Sequence, residues 1–207
     1  MEGCFDEPSA RSSRGTGRHC INNSRNTDLD GYKAIMDNEN LNNTITAITK
    51  LSRGLGRTGE WSWGKAGGDI VDPHTDTYQP LHTDWTGYPL ESMAWGFAIV
   101  VSVAPKDITE DHAPLRLVGW DDVQRYDDYP QLDSDEDIFY RMGDHLVVLN
   151  EGEALIRDCR VCHGGTPNRC DHQRFLPGLQ VTSPQYAAYL AERKYRANPR
   201  GRVYASL

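Results

Sequence analysis

The feature that most constrains the fold of this chain is the pattern of its sequence beyond Gly59, where short apolar or aromatic runs are separated by Gly, Pro and Asp. This pattern is typical of consecutive β-strands, because Gly and Pro interrupt regular structure and favour turns. About seven or eight such runs, with helices on their flanks, predict a mainly β jelly roll or sandwich. The clearest strands are predicted at residues 95–103, 145–149, 154–163 and 175–182.

Two segments predict helices beside this β core. Between Asp30 and Leu55, apolar residues recur at spacings that suit one or two short helices, and a polar surface helix explains the spacing equally well. Near the end of the chain, Ser183 supplies an N-cap residue and Pro184 a first-turn proline. We therefore expect a C-terminal helix at about residues 184–198.

The beginning of the chain predicts no packed structure. Residues 1–27 are rich in Ser, Arg, Gly and Asn and show no hydrophobic period, which indicates a disordered or poorly packed segment. Residues 28–207 are predicted to form a single domain. The hydrophobic fraction of the whole chain, 38%, together with 19 glycines, is enough for one ordinary globular core.

Charge, cysteine content and hydropathy disfavour several classes of protein. The 22 basic and 30 acidic residues give a net charge of −8, which disfavours a nucleic-acid partner. No apolar run is long enough to span a membrane, and the first thirty residues contain no apolar segment that could form the core of a signal peptide. The five cysteines are an odd number, so a disulfide framework is also disfavoured. We expect a cytoplasmic protein with neither a nucleic-acid nor a membrane partner, and the sequence does not predict its oligomeric state.

A short His-x-Asp motif predicts a metal centre. His82 and Asp84 are two residues apart, so on a strand their side chains project from the same face. His163 ends a predicted strand and precedes a glycine-rich turn, which makes it the natural second imidazole. Two histidines and one carboxylate form the facial ligand set that holds Fe(II) and leaves coordination positions open. These three residues are therefore the candidate catalytic and metal-binding residues.

The same triplet also occurs eight residues earlier, from His74 to Asp76. Pro73 and the neighbouring Asp residues indicate a loop at this first copy. Leu81 and Trp85 bracket the second copy as apolar neighbours on a strand would. The second copy is therefore favoured as the metal-binding one.

Arg174 adds a candidate binding group. It lies eleven residues after His163, at the start of the next apolar run, so a hairpin could return it to the same cavity. A buried guanidinium there would pair with one carboxylate of an organic diacid whose other end reaches the metal. An exposed arginine on an edge strand is the ordinary alternative.

Together these motifs resemble the phytanoyl-CoA dioxygenase family of Fe(II)- and 2-oxoglutarate-dependent oxygenases. The likeness extends over about residues 64–183. It includes APKDITEDHAPLRLV at 104–118 and GEALIRDCRVCHGGTPN at 152–168. The resemblance implies that the domain is a double-stranded β-helix, a cupin-like jelly roll with flanking α-helices, and that its catalytic core spans the matching region.

The resemblance also implies a role for each candidate residue. His82, Asp84 and His163 would hold Fe(II), Arg174 would anchor 2-oxoglutarate, and Ser102 would line the pocket of this cosubstrate. Dioxygen is the second cosubstrate. The implied reaction oxidises a C–H bond of a small organic substrate, with hydroxylation as the simplest outcome, and converts 2-oxoglutarate to succinate and carbon dioxide. The resemblance leaves the substrate open and does not choose among hydroxylation, desaturation and cyclisation.

Three further features accompany the resemblance. His112 and Ala113 stand where the family usually has Asn-Gly. Trp85 is a candidate for the substrate side of the cavity. Residues 121–137 carry eight acidic residues and one arginine, which predicts a solvated loop.

Two alternatives to an oxygenase remain open. Cys159, Cys162, Cys170 and His172 have ligand types and spacings suited to a structural zinc site. Strand parity argues against it, because residues three apart on a regular strand face opposite sides. The second alternative is a catalytically silent jelly-roll protein that keeps the fold and binds ligands without turnover.

Overall fold

The structure, a computed structural model, describes residues 11–13, 16–22, 30–53, 60–79, 81–82, 84, 98–118 and 145–192. Three sequence predictions fall outside these residues: the role of Trp85, the solvated loop at 121–137, and the part of the C-terminal helix beyond residue 192. The first three residues of the predicted strand at 95–103 also lie outside.

The described residues contain nine strands. In chain order they are β1 (Arg11–Ser13), β2 (Arg18–Asn22), β3 (Ser62–Val71), β4 (Ala98–Val103), β5 (Leu115–Leu117), β6 (His145–Val147), β7 (Ala154–Asp158), β8 (His163–Gly165) and β9 (Arg174–Thr182). They form a six-stranded sheet in the order β1-β2-β3-β9-β4-β7 and a three-stranded sheet in the order β6-β5-β8. Every pairing between these strands is antiparallel. The mainly β jelly roll predicted from the sequence is confirmed.

The same described ranges contain three helices: α1 (Asp30–Met36), α2 (Glu39–Arg53) and α3 (Pro184–Glu192). The predicted N-cap of α3 is present, because the Tyr186 backbone N–H donates to Ser183 Oγ at 3.2 Å. Asn38 caps α2 in the same way, with its Oδ1 accepting from the Leu41 N–H at 3.0 Å. The helices therefore begin where short polar side chains satisfy their first N–H groups.

The helices α1 and α2 cover one face of the six-stranded sheet. Tyr32 and Ile35 of α1 pack against Ile70 of β3 and Leu179 of β9. Ile45 of α2 belongs to an adjacent cluster with buried residues of β4 and β9. Each large apolar side chain buried in this way stabilises the fold by roughly 1.5–3 kcal/mol. The predicted helices thus pack on the flank of the core, which decides against a fully polar surface helix.

The prediction that residues 1–27 are poorly packed is wrong for residues 16–22. Strand β2 pairs with β3 over five residues, from Arg18 opposite Val71 to Asn22 opposite Gly67. Arg18 is 1% exposed, and its Nη2 donates to the carbonyl of Thr166 at 2.5 Å. Backbone pairing and a buried guanidinium hold this strand, so the absence of a hydrophobic period did not reveal it.

The strand predicted at 154–163 is divided into two, and the chain passes from the larger sheet to the smaller one between them. Asp158 makes the turn: its Oδ1 accepts from the Arg160 backbone N–H at 2.9 Å, and its backbone carbonyl accepts from the Val161 N–H at 3.1 Å. An Asp side chain that bonds the backbone two residues later is a common way to start a turn. The crossing places His163 on β8, opposite the segment that carries His82.

Candidate metal centre

The backbone brings His82 and His163 directly opposite each other. They form an antiparallel bridge in which the His82 N–H donates to the His163 carbonyl at 2.9 Å and the His163 N–H donates to the His82 carbonyl at 2.8 Å. The Asp84 N–H donates to the Cys159 carbonyl at 3.0 Å. Three backbone hydrogen bonds therefore fix the positions from which the imidazoles and the carboxylate project.

The side chains of His82, Asp84 and His163 converge. Their potential ligand atoms all lie within 4.8 Å of one another. His163 Nε2 is 3.7 Å from Asp84 Oδ2, and the two imidazole centroids are 4.4 Å apart. Among the residues that the structure describes, this is the only group of three or more His, Cys, Asp or Glu side chains close enough to hold a metal ion.

A hydrogen bond sets the tautomer of His163. Its Nδ1 lies 2.9 Å from the carbonyl of Val161, which can only accept, so Nδ1 carries the proton and donates it. The Nε2 lone pair is then left for a metal. A backbone carbonyl in this role both orients the ring and makes the ligand nitrogen more basic.

The electrostatics of the site favour the protonation states that a metal requires. Burial lowers the pKa of His163 by penalising the imidazolium, and the Arg157 guanidinium lowers it further. Burial alone would raise the pKa of the Asp84 carboxyl, but its electrostatic interactions with His163 and with the Arg157 guanidinium outweigh burial and hold this pKa below its usual range. A neutral imidazole and an ionised carboxylate are the forms that bind metals at neutral pH.

The donor set fits a divalent metal ion. With metal–ligand bonds of about 2.1 Å, two ligands at a right angle lie about 3 Å apart, close to the 3.7 Å between His163 Nε2 and Asp84 Oδ2. Two imidazole nitrogens and one carboxylate oxygen are the ligands that Fe(II) takes in a facial triad. The fit rests on the three side chains themselves.

The competing ligand sets do not assemble. His74, from the first copy of the motif, has a side chain that is 67% exposed and lies 3.1 Å from Asp171 on the surface. The turn after Asp158 removes the strand-parity argument against zinc. Cys159, Cys162, Cys170 and His172 nevertheless do not form a metal-binding group, within the part of the chain that the structure describes.

A cavity of about 220 Å³ opens beside the candidate metal ligands. Asp84 and His163 are among the residues that line it, and most of the others belong to β3, β4 and β9 of the larger sheet. Ser102, predicted to line the cosubstrate pocket, is on this wall and is 6% exposed. Its Oγ lies 3.5 Å from where a Cβ on Gly178 would stand, so the glycine keeps that part of the cavity open.

Arg174 is buried as predicted, at 0% exposure, but it is not among the residues that line the cavity. Its Nη2 donates to Asp69 Oδ2 at 2.8 Å, and its Nε donates to the carbonyl of Ala113 at 3.1 Å. Asp69, unlike Arg174, is among the residues that line the cavity. The guanidinium therefore already has a carboxylate partner in the protein itself.

Arg157 is a site residue that sequence reasoning did not single out. Its Nη2 lies 2.5 Å from Asp84 Oδ2, and it lines the cavity. The available signal was its position on the run that ends at His163, with a spacing that suggested a shared face. That spacing alone did not indicate that Arg157 is a buried cation beside Asp84, the candidate carboxylate ligand.

Two further buried arginines explain the glycines that follow His163. A Cβ on Gly165 would collide with the Arg18 guanidinium, and a Cβ on Gly164 would lie 2.7 Å from the carbonyl oxygen of Gln79. Arg116 Nη2 donates to that same carbonyl at 3.0 Å. Gly164 and Gly165 are part of β8, so they serve close packing here, whereas the sequence had suggested a turn.

The fold and the site define a jelly-roll protein with a candidate mononuclear metal centre. Residues 69–176, just over half of the chain, match the family model described as phytanoyl-CoA dioxygenase (PhyH). The chain belongs to the phytanoyl-CoA dioxygenase family, as the sequence motifs predicted. No curated protein sequence matches the chain. No helix in the described segments is long and apolar enough to cross a membrane.

Solved structures with a similar fold include EctD from S. alaskensis with 2-oxoglutarate and 5-hydroxyectoine, at 14% identity and a TM-score of 0.58, covering 89% of this chain and 64% of that one. SnoN, a non-heme alpha ketoglutarate dependent epimerase from nogalamycin biosynthesis, has 17% identity and a TM-score of 0.57, covering 83% and 63%. EvdMO1 has 14% identity and a TM-score of 0.52, covering 80% of this chain. This chain spans only 35% of EvdMO1, and at such identities the likeness describes the fold alone.

Proposed function

We propose that the protein is an Fe(II)- and 2-oxoglutarate-dependent dioxygenase that oxidises a C–H bond of a small organic substrate. The observation that carries the proposal is the convergence of His82, Asp84 and His163, with ligand atoms within 4.8 Å, at the end of a cavity inside the jelly roll. Membership of the phytanoyl-CoA dioxygenase family supports it. The structures of EctD with 2-oxoglutarate and of the alpha ketoglutarate dependent epimerase SnoN add the same cosubstrate on a similar fold.

Each residue has a separate part in this function. His82, Asp84 and His163 hold the metal on one face, and their backbone hydrogen bonds limit how far they can move. Bound Fe(II) supplies the oxidation of the substrate by dioxygen, coupled to the conversion of 2-oxoglutarate to succinate and carbon dioxide. The walls of the cavity orient the ligand. Hydroxylation is the proposed outcome, and the reaction on a particular substrate follows from what that cavity admits.

Ser102 and Arg174 are the proposed contacts of 2-oxoglutarate away from the metal. Ser102 lines the cavity directly. Arg174 has to exchange the Asp69 carboxylate, 2.8 Å away, for the distal carboxylate of the ligand. This is an exchange of one carboxylate for another on the same guanidinium, so the charge of the buried pair is preserved.

The test is succinate formation by purified protein supplied with Fe(II), ascorbate and 2-oxoglutarate. We expect turnover in the wild type and in His74→Ala, whose side chain is exposed and lies outside the cluster. His82→Ala and His163→Ala should abolish it. Equal turnover in these variants and the wild type would refute the assignment of the ligands.

A catalytically silent binding protein is the second candidate function. It is favoured by one observation, the pairing of Arg174 with Asp69, which leaves the proposed anchor occupied in the absence of ligand. Such a protein would gain thermal stability from Fe(II) or 2-oxoglutarate and release no succinate with any substrate tested. An oxygenase would gain thermal stability from these ligands and would also release succinate.

A further inference from the structure

Arg157 is a buried cation that pairs with the candidate metal ligand Asp84 through only part of its guanidinium. It lies on β7, its side chain is 9% exposed, and it lines the cavity beside Asp84. Its Nη2 donates to Asp84 Oδ2 at 2.5 Å. Within the described residues, its Nε and Nη1 are buried and have no hydrogen-bond partner.

Those two nitrogens mark where an acceptor is missing. A buried N–H that gives up water without gaining a partner is costly, and the cost is greater for a charged group. Arginine presents its donors in a fixed planar fork, so the guanidinium that holds Asp84 presents the remaining donors at a defined angle to it. The neighbouring cavity has room for a ligand that supplies the acceptor.

The charges on the cavity wall indicate that this acceptor is anionic. Arg157 lines the cavity together with Asp69 and Asp84. Asp69 is already paired with Arg174, 2.8 Å away, and Asp84 with Arg157 itself, 2.5 Å away. A divalent metal on Asp84 would therefore make this part of the cavity positive.

We propose that Arg157 binds the carboxylate adjacent to the keto group of 2-oxoglutarate, and so holds Asp84 and the metal-proximal end of the cosubstrate with one guanidinium. The inference rests on the proposed function, and it adds a contact at the opposite end of the ligand from Arg174. The position follows from Asp84: its Oδ2 is 2.5 Å from Arg157 Nη2 and 3.7 Å from His163 Nε2, so an anion at Arg157 lies at the metal.

Arg160, three residues further along the chain, provides a matched control. It is also partly buried and paired with an aspartate, since its Nε and Nη2 donate to the two carboxylate oxygens of Asp158 at 2.8 and 2.5 Å. It does not line the cavity. Arg160→Met therefore removes a partly buried arginine–aspartate pair without altering the residues that line the cavity.

The experiment measures the affinity of Mn(II)-loaded protein for two ligands by calorimetry, with no substrate present. The first ligand is 2-oxoglutarate, and the second is 2-oxoglutaramate, in which the distal carboxylate is replaced by a neutral amide. We expect Arg157→Met to weaken both ligands by the same factor, about 10- to 100-fold, because a charged hydrogen bond to the shared carboxylate is lost. Arg157→Lys should fall between Arg157→Met and the wild type, since an ammonium keeps the charge and loses the fork. Arg160→Met should match the wild type.

Two results would overturn the inference. Unchanged affinity for both ligands in Arg157→Met would mean that Arg157 binds neither end of the cosubstrate. A loss seen with 2-oxoglutarate and absent with 2-oxoglutaramate would assign Arg157 to the distal carboxylate.

The titrations also separate this inference from the proposed function. If the wild-type protein binds neither Mn(II) nor 2-oxoglutarate, the proposed function itself is refuted, whatever the variants show. Melting temperatures and Mn(II) affinities are measured for every variant, because removal of one member of a buried ion pair can unfold a protein. If Arg157→Met does not fold or does not retain its metal, Arg157→Lys is compared with the wild type instead. Wild-type affinity of Arg157→Lys for both ligands would then count against the inference.

Discussion

His82 and His163 are 81 positions apart in the sequence and face each other across an antiparallel bridge, with reciprocal backbone hydrogen bonds of 2.9 and 2.8 Å. Their imidazoles lie 4.4 Å apart as a consequence. The backbone pairing thus positions the two proposed imidazole ligands. We expect this arrangement to separate two properties that are coupled in many metalloproteins, the folding of the site and the binding of the ion.

Replacing a histidine ligand should therefore remove metal binding more than folding. For His82→Ala, we expect little change in the melting temperature of the metal-free protein, because the backbone bridge remains. The stabilisation by added metal should disappear. In the wild type, an ion at about 100 times its dissociation constant contributes about 2.7 kcal/mol. Differential scanning fluorimetry with and without Mn(II) measures both quantities, and His74→Ala should keep the full metal response. A metal-induced shift in His82→Ala equal to that of the wild type would contradict the prediction.

Asp69 provides a test of the proposed anchor. Arg174 is fully buried and donates to Asp69 Oδ2 at 2.8 Å, so the distal carboxylate of 2-oxoglutarate has to displace that side chain. We expect Asp69→Asn to bind 2-oxoglutarate more tightly than the wild type, because a neutral amide competes less well for the guanidinium. Arg174→Met should bind it at least tenfold more weakly, the effect of losing about 1.4 kcal/mol. Calorimetry with Mn(II)-loaded protein measures both affinities. Wild-type affinity in Arg174→Met would exclude this arginine as the anchor.

Much of the architecture is predictable from the sequence because it depends on local patterns. The apolar run before Val103, the strand that ends at Thr182 and the cap at Ser183 all have short-range signals that the structure follows. The convergence of His82 and His163 was predictable from a motif and a family resemblance, which together supply long-range information that a single pattern lacks.

The remainder depends on contacts between distant residues. Strand β2 has no hydrophobic period, and only its pairing with β3 and the burial of Arg18 explain it. The pairing of Arg174 with Asp69 joins residues 105 positions apart, and no local rule connects them. The turn at Asp158 had a local signal, an aspartate whose side chain can accept from the backbone two residues later, but the surrounding apolar residues favoured a continuous strand.

Gly164 should tolerate no side chain. A Cβ at this position would lie 2.7 Å from the Gln79 carbonyl oxygen, which already accepts from Arg116. We expect Gly164→Ala to lower the free energy of unfolding by roughly 1–3 kcal/mol, as overpacking usually does. Chemical denaturation measures the loss. Gly64→Ala is the control, because its nearest neighbour would be 3.4 Å away, and equal losses in the two variants would contradict the packing argument.

Glycine should be tolerated better at Ala113 than at a comparable buried alanine. The φ of 45° at Ala113 lies in the left-handed region, which costs a residue with a Cβ roughly 1–2 kcal/mol. Glycine avoids this strain but loses about 0.5–1 kcal/mol of backbone entropy on folding and about 0.8 kcal/mol from the buried methyl. Ala104→Gly loses the same methyl at a buried alanine without positive φ, so its denaturant midpoint should be lower than that of Ala113→Gly. Equal losses of stability at the two positions would disprove the strain.

His112 should make the fold sensitive to mild acid. It is 4% exposed, its ring centroid lies 4.3 Å from that of His172, and its Nδ1 lies 3.1 Å from the Asp107 carbonyl oxygen. Burial lowers the pKa of this imidazole, and the charges of His172 and Arg174 lower it further, against hydrogen bonds to backbone carbonyls that raise it. As the pH falls through about 6.5, the ordinary pKa of a histidine, His112 becomes protonated in the unfolded state while it stays neutral in the folded state.

The contribution of His112 to stability is therefore complete above about pH 6.5 and falls as the pH drops from there toward the lowered pKa of the folded state. For one proton, the slope is at most about 1.4 kcal/mol per pH unit. His112→Asn removes the titrating group, so its stability should depend less on pH than that of the wild type between pH 7.5 and 5.5, the range in which about one proton is exchanged. Urea denaturation at several pH values gives both slopes. His74→Asn, which alters an exposed histidine, should keep the wild-type slope, and an unchanged slope in His112→Asn would show that His112 is protonated equally in both states.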